Sequence, residues 1–169
     1  MGLARLILLT AGAVLALAIV GVAAAERPGP VEDGTLSVRD GRATIQLRIN
    51  GGLIGRFASG RLTVTEPARG NPTVIVRGAE RTRALNRRTT VYSGKNLRFR
   101  IADDSRLVVR IHASKINFSA VGRGDGWLDG WGDPEAGVYF DGSFSLNGEA
   151  YKSIPDVREP IDLVAAPTG

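Results

Sequence analysis

Apolar and charged residues alternate along residues 97–112, and this pattern restricts that part of the chain to β-structure. Strict alternation places every second side chain on the same face of a strand, so one face is apolar and the other is basic. The apolar positions are Leu97, Phe99 and Ile101, followed by Leu107, Val109 and Ile111. The polar residues between the two runs have the composition of a turn. We therefore predict a β-hairpin that buries its apolar face and presents arginines outward.

The same alternation recurs in most of the remaining chain and predicts short strands. Residues 35–39 and 43–49 alternate across Asp40 and Gly41, and residues 53–57 and 61–65 flank an Ala-Ser-Gly turn, so each pair predicts another hairpin. Residues 73–77 are β-branched and predict a central strand, whereas the arginine-rich residues 78–88 predict an exposed loop.

The expected fold class is all-β, since no window has the period of a long amphipathic helix. Strand-like runs follow one another every 8 to 12 residues or so, which is typical of an antiparallel architecture. We predict a single antiparallel β-sandwich or β-roll built of hairpins. A small β-solenoid is the alternative, although no repeat of fixed period is present.

The first 25 residues have the composition of a secretory signal peptide: a short basic start, an apolar run and small residues at a cleavage site. An uncleaved membrane anchor formed by residues 6–25 is the alternative, because about 20 apolar residues span a bilayer. We expect a linker at residues 26–34, the all-β domain at 35–154 and a Pro-rich tail at 155–169, ordered where residues 161–164 meet a sheet edge. The protein is thus expected to be secreted or extracytoplasmic, and it has no cysteine for disulfides.

The net charge of +5 hides an uneven distribution of charged residues. Residues 77–100 contain eight basic residues and one acid, whereas the chain from residue 121 onward contains nine acids and three bases. Arginine pairs bidentately with carboxylates and phosphates, so a basic face is a candidate anion-binding surface. The candidate ligand-binding residues are Arg81, Arg83, Arg87, Arg88, Arg98, Arg100 and Arg110.

In the predicted hairpin Phe99 pairs with Val109, which sets Arg98 opposite Arg110. Like charges directly opposite each other destabilise an antiparallel pair, so something should neutralise them. One explanation is internal, through Asp103, Asp104 or the acidic C-terminal third. The other is an anionic envelope polymer or membrane surface. We expect no nucleic-acid partner, because basic and aromatic residues do not interleave as in single-strand binding.

His112 is the only histidine, and the alternation places it on the outward face beside arginines. No Gly-x-Ser-x-Gly, Ser-x-x-Lys or His-Glu-x-x-His motif supplies partners for catalysis. We therefore expect no enzyme activity, no catalytic residue and no cofactor. A glycosidase-like reaction that uses two carboxylates is the remaining alternative.

The segment from residue 122 to 142 is rich in Gly, Asp and Trp. Asp125, Asp129 and Asp133 are weak calcium candidates, but an EF-hand loop starting at Asp125 would have Trp127 at its third position and lack its final Glu. We expect these acids to pair with arginines in turns and no metal to bind. Trp127, Trp131 and Tyr139 could stack on sugar rings; we expect the tryptophans to fold back as a lid on the core.

Residues 90–94, 116–124 and 142–148 (Thr-Val-Tyr-Ser-Gly, Ile-Asn-Phe-Ser-Ala-Val-Gly-Arg-Gly and Gly-Ser-Phe-Ser-Leu-Asn-Gly) form a pattern across most of the chain. Together they resemble uncharacterised exported β-rich proteins of high-GC bacteria. That group has no assigned activity, so the resemblance implies export and a β-rich fold and supplies no site residue.

The function we expect is that of a non-enzymatic structural or binding module of the cell envelope, which binds an anionic polymer or surface through its arginine-rich face. A self-associating structural protein is one alternative. A carbohydrate-binding or carbohydrate-active protein that uses the Trp- and Asp-rich loop is another.

Overall fold

A computed structural model describes residues 33–67, 72–132, 135, 137 and 141–164, with only the backbone described at residues 103–105. The described part contains seven strands and no helix, so the predicted all-β class is confirmed. All of its strand pairs are antiparallel. The predicted signal peptide and most of the predicted linker lie outside the described residues. The strands are β1 (Gly34–Thr65), β2 (Thr73–Arg77), β3 (Arg81–Ala84), β4 (Thr89–Gly130), β5 (Ser143–Leu146), β6 (Lys152–Ser153) and β7 (Glu159–Leu163).

The two long strands, β1 and β4, form an antiparallel ribbon that coils on itself. Ile45 of β1 pairs with both Ile111 and Leu128 of β4, and Ile111 pairs with both Ile45 and Leu62. A residue of β1 can have β4 on both sides only if the ribbon returns beside itself after one circuit. The sheet therefore wraps around an interior, and it stays open because the short strands form its edges: β2 and β6 at the ends of the main strand order, with β3 and β7 paired to β4.

The hydrophobic core occupies this interior. Among the described residues, twenty-five buried apolar side chains form one cluster, and both apolar runs of residues 97–112 belong to it. The charged residues between them, such as Arg98, Arg100 and Arg110, are exposed. The inward and outward faces predicted from the alternation are thus correct. Burying a large apolar side chain contributes about 1.5–3 kcal/mol, so packing is the main source of stability in a chain without cysteine.

Gly55 sits between two aromatic rings of the core. It pairs with Phe99 on one side and Phe118 on the other, and the two ring centroids are 6.2 Å apart. A Cβ atom at Gly55 would lie 2.6 Å from Cζ of Phe99, so only glycine leaves room for that ring. The outward neighbours of this glycine are Ile54 and Arg56, both exposed.

The alternation of buried and exposed residues shifts by one position where the ribbon bends. Asp40, Asn96 and Lys115 have left-handed backbone conformations, with φ angles of 49°, 54° and 51°. A residue of this kind is typical of a β-bulge, which adds one residue to a strand and bends it. Asp40 and Lys115 lie where the buried set changes between even and odd numbers, and Asn96 lies between the partly buried Tyr92 and the buried Leu97. The bulges let long strands turn corners without ending.

The prediction of hairpins along these strands is wrong. A two-residue type I′ turn needs a positive φ at both central residues, and in the pair Asp40-Gly41 only Asp40 has one. The chain therefore bends there and continues as β1 through residue 65. The second predicted hairpin, around residues 58–60, is likewise a bend within β1.

Residues 97–112 also form no hairpin, because they pass from one circuit of the coil toward the next. Phe99 pairs with Gly55 and Val76, whereas Val109 pairs with Leu47 and Val64. Arg98 and Arg110 are therefore not opposite each other, and that predicted register is wrong. The polar residues 103–105 form a corner of β4 in place of a reversal.

The short strands also differ in part from the predictions. Residues 78–88 contain β3, which pairs with residues 90–93 of β4, because an edge strand gains backbone hydrogen bonds without needing apolar side chains. Residues 73–77 form an edge strand, β2, and not a central one. In the Pro-rich tail, β7 pairs with residues 124–128 of β4.

Candidate functional site

A groove of about 720 Å³ lies on the outer side of the sheet. We call it the arginine groove. The described residues that line it include five arginines and no acidic residue, together with the exposed side chains of Ile54, Ile75 and Tyr151. The five arginines are Arg39, Arg56, Arg77, Arg98 and Arg100.

Strand register builds the centre of this groove. Arg77 of β2 lies directly opposite Arg98 of β4, and Arg98 lies opposite Arg56 of β1. Neighbouring strands are about 4.8 Å apart, so the Cα atoms of the three arginines lie along a line roughly 10 Å long. All three side chains point outward, because they alternate with inward residues of the core.

The groove arginines have no acidic partner among the described side chains. The ion pairs found there engage other basic residues: Arg42 with Asp141, Arg48 and Arg106 with Asp125, Arg123 with Asp33, and Lys152 with Glu159. Arg39 instead stacks on a ring, its guanidinium carbon 3.9 Å from the centroid of Tyr151. Three like charges in direct register repel one another, and each such cross-strand pair costs a few tenths of a kcal/mol or more, up to about 1 kcal/mol.

A smaller hollow of about 260 Å³ adjoins the groove and shares Arg56, Arg98 and Asn117 with it. Asn117 donates a hydrogen bond of 2.8 Å from Nδ2 to the carboxylate of Asp40, which lines this hollow. Lys115 lines it as well, so the hollow adds one acid and one base at its border. The five arginines of the groove therefore still leave it strongly positive.

Two isoleucines lie in the groove on either side of an arginine. Ile75 of β2 pairs with Arg100, and Arg100 pairs with Ile54 of β1. Ile54 is 60% exposed and Ile75 is 47% exposed. The groove thus combines charge with exposed apolar surface.

The predicted ligand-binding arginines do not converge on one surface. Arg98 and Arg100 lie in the groove, whereas Arg110 pairs with Thr63 and Gln46 on a different part of the sheet. Its guanidinium carbon lies 5.6 Å from the ring centroid of Trp127. The other four are exposed and lie outside the groove lining: Arg81 and Arg83 are on β3, and Arg87 and Arg88 are in the bend before β4.

Reasoning from the sequence did not select Arg39, Arg56 and Arg77 as site residues. Each occupies an outward position of an alternating run, and this alternation can be recognised in the sequence. Their meeting depends on the register of β1 and β2 against β4. The charge-rich stretch from residue 77 to 100 suggested a local cluster, but Arg39 and Arg56 come from segments well before it.

His112 lies outside the groove, on a surface that β1 and β4 form together. Its Nδ1 atom is 2.8 Å from the hydroxyl of Thr44, and its ring stacks on Trp131 with centroids 5.0 Å apart. Burial, and then the nearby charges of Arg61 and Arg110, lower the pKa of His112 below its ordinary value. These surroundings therefore disfavour the protonated form of the imidazole.

The expectation that the tryptophans cover the core is wrong. Trp127 and Trp131 are half-buried and do not belong to the core cluster. Trp127 packs under Arg158, 4.1 Å from its ring centroid, and Trp131 packs against His112 and Arg42. Both rings therefore fold onto polar side chains of the outer surface.

The aspartates predicted as calcium candidates do not share a common set of contacts. Asp125 forms ion pairs with Arg48 and Arg106. Asp129 pairs with Thr44 in the sheet, and Asp133 lies outside the described residues, as does Tyr139. No group of three or more potential ligands that could hold a metal ion is found among the described residues. The contacts of Asp125 match the expectation that acids of this segment pair with arginines.

Comparisons with protein-family models, curated proteins and solved structures find no match to the chain. In the described part of the chain, no helix is long and apolar enough to cross a membrane.

Proposed function

We propose that the protein is an exported, non-enzymatic binding module of the cell envelope, whose arginine groove takes an anionic polymer or surface. The observation that carries this proposal is the direct register of Arg77, Arg98 and Arg56 in a groove where no described lining residue is acidic. A line of unpaired cations lowers the stability of the sheet, and a bound anion removes that cost. Guanidinium groups also bind carboxylates and phosphates through paired hydrogen bonds.

The proposal includes the form and location of the molecule. We infer that the coiled ribbon is a rolled β-sandwich and not the β-solenoid, because its neighbouring circuits are antiparallel. The proposed secretion or membrane tethering rests on the apolar residues 6–25 of the sequence. The proposed membership of the exported β-rich proteins rests on the resembling segments 90–94, 116–124 and 142–148.

The alternatives have less support from the contacts. Self-association through sheet edges would use β2, β3, β6 and β7, which have five residues or fewer, and short charged edges resist pairing. Sugar stacking would need free faces on the tryptophans, yet Arg158 lies over Trp127 and His112 stacks on Trp131.

A titration with linear polyphosphate tests the proposal. We expect the protein to bind it, and the double variant Arg56→Gln with Arg98→Gln to bind at least roughly tenfold more weakly. A charge-assisted hydrogen bond contributes about 1.5–3 kcal/mol, and solvent reduces that figure at an exposed site. Isothermal titration calorimetry gives both dissociation constants.

The matched control is Arg61→Gln with Arg158→Gln, which removes the same charge from outside the groove. It should retain most of the affinity of the unaltered protein. Equal losses in both double variants would mean that only net charge matters, and this would refute the groove as the binding site. Thermal unfolding should show that neither variant loses the fold.

A further inference from the structure

We infer that the arginine groove docks onto a membrane surface rich in acidic lipids. This inference rests on the proposed function, since it names the partner of the same groove. It starts from a feature that binding of anions alone does not explain, namely the exposed isoleucines among the arginines.

Charged and apolar residues form two parallel rows across the same three strand segments. One row consists of Arg77, Arg98 and Arg56, and the other of Ile75, Arg100 and Ile54. The rows are two residues apart along each strand, a distance of about 7 Å. The groove therefore has a cationic stripe beside a stripe that is mostly apolar.

A lipid surface offers partners to both stripes. Acidic headgroups attract arginines, and the boundary with the acyl chains, about 5–10 Å deep, takes up apolar side chains. A soluble polyanion leaves the isoleucines in water, where they contribute nothing to the free energy of binding. The pairing of the two rows thus favours a lipid surface over a polymer.

Tyr151 extends this pattern at the border of the groove. Tyr151 is 40% exposed, and the guanidinium carbon of Arg39 lies 3.9 Å from the centroid of its ring. Tyrosine is enriched at membrane interfaces, because its ring is apolar and its hydroxyl is polar. With five arginines and no acid among the described lining residues, the groove has a charge complementary to acidic lipids.

Co-sedimentation with vesicles tests the inference. The protein used is the chain from residue 26 onward, which contains every described strand. Because it lacks the apolar residues 6–25, insertion of that segment into the vesicles does not contribute to the measured binding. We expect it to bind phosphatidylcholine vesicles that contain about one third phosphatidylglycerol and to ignore pure phosphatidylcholine vesicles. Replacing Ile54 and Ile75 by Ser should lower the vesicle partition coefficient about tenfold or more, a larger factor than any loss of affinity for polyphosphate.

The control for the isoleucines is Leu85→Ser with Val157→Ser, two exposed apolar residues outside the groove, which should bind vesicles like the unaltered chain. Vesicle binding that is insensitive to the isoleucine substitutions would overturn the inference. So would polyphosphate binding without vesicle binding, although the proposed function would then stand. Failure to bind either partner would refute both.

Discussion

His112, the only histidine of the chain, is held by groups from distant parts of the sequence. Thr44 contacts its Nδ1 atom, Trp131 covers its ring, and Arg61 and Arg110 lie close enough to act on its charge. The sequence predicts an outward histidine beside arginines, and this is correct for Arg110. The contribution of Arg61 depends on its pairing with His112 across the coil.

The lowered pKa of His112 predicts how stability depends on pH. The unfolded chain binds the proton more readily than the folded one, so stability falls as pH decreases from about 6.5 through the folded-state pKa. At higher pH both states are neutral and the effect vanishes. Replacing His112 by Gln should therefore reduce the loss of stability between about pH 7.5 and pH 5.5.

Urea unfolding at several pH values measures this effect. The two proteins differ only at residue 112, so the difference between their two stability curves isolates the contribution of His112. Parallel curves across this window would contradict the lowered pKa.

At the scale of elements, the corners decide how the ribbon coils. Gly51 of β1 and Gly122 of β4 face each other at one corner, with φ angles of 153° and 150°. A Cβ atom at Gly122 would lie 2.3 Å from the carbonyl oxygen of Asn50. Side chains at this crossing are therefore excluded both by the backbone conformation and by lack of space.

We expect Gly122→Ala to destabilise the protein by about 2 kcal/mol or more, since the strained backbone alone costs about 1–2 kcal/mol. Gly52→Ala is the control from the same corner, because a Cβ there meets no described atom within 4 Å and its φ is not positive. Its effect should stay within about 1 kcal/mol. Urea denaturation measures the free energy of unfolding of both variants. Equal losses would contradict the claim that the close approach of Gly51 and Gly122 requires glycine.

The corners also explain which elements the sequence predicts. The alternation of Leu97, Phe99 and Ile101 with arginines correctly gives strands, faces and core. The polar residues 103–105 and the pair Asp40-Gly41 look like reversals, but they are corners at which the strand changes direction and continues. Composition identifies a break in the alternation, whereas the angle of that break depends on φ values and on packing against the next circuit.

For the whole molecule, coiling turns separate basic residues into one surface. Arg39, Arg56, Arg77 and the pair Arg98 and Arg100 come from four separate stretches, and the register of β1, β2 and β4 brings them together. Three acids of the C-terminal third pair elsewhere: Asp125 with Arg48 and Arg106, Asp141 with Arg42, and Glu159 with Lys152. Sequence composition indicates a basic protein with an acidic end, and only the register locates the unpaired charge.

The salt dependence of polyphosphate binding tests the groove most directly. Each arginine that contacts a phosphate releases a counterion, so the logarithm of the binding constant should fall linearly with the logarithm of the salt concentration. Removing Arg56 and Arg98 should reduce this slope by roughly one for each lost contact, and removing Arg61 and Arg158 should leave it unchanged. The same slope in both double variants would contradict a binding site centred on the groove.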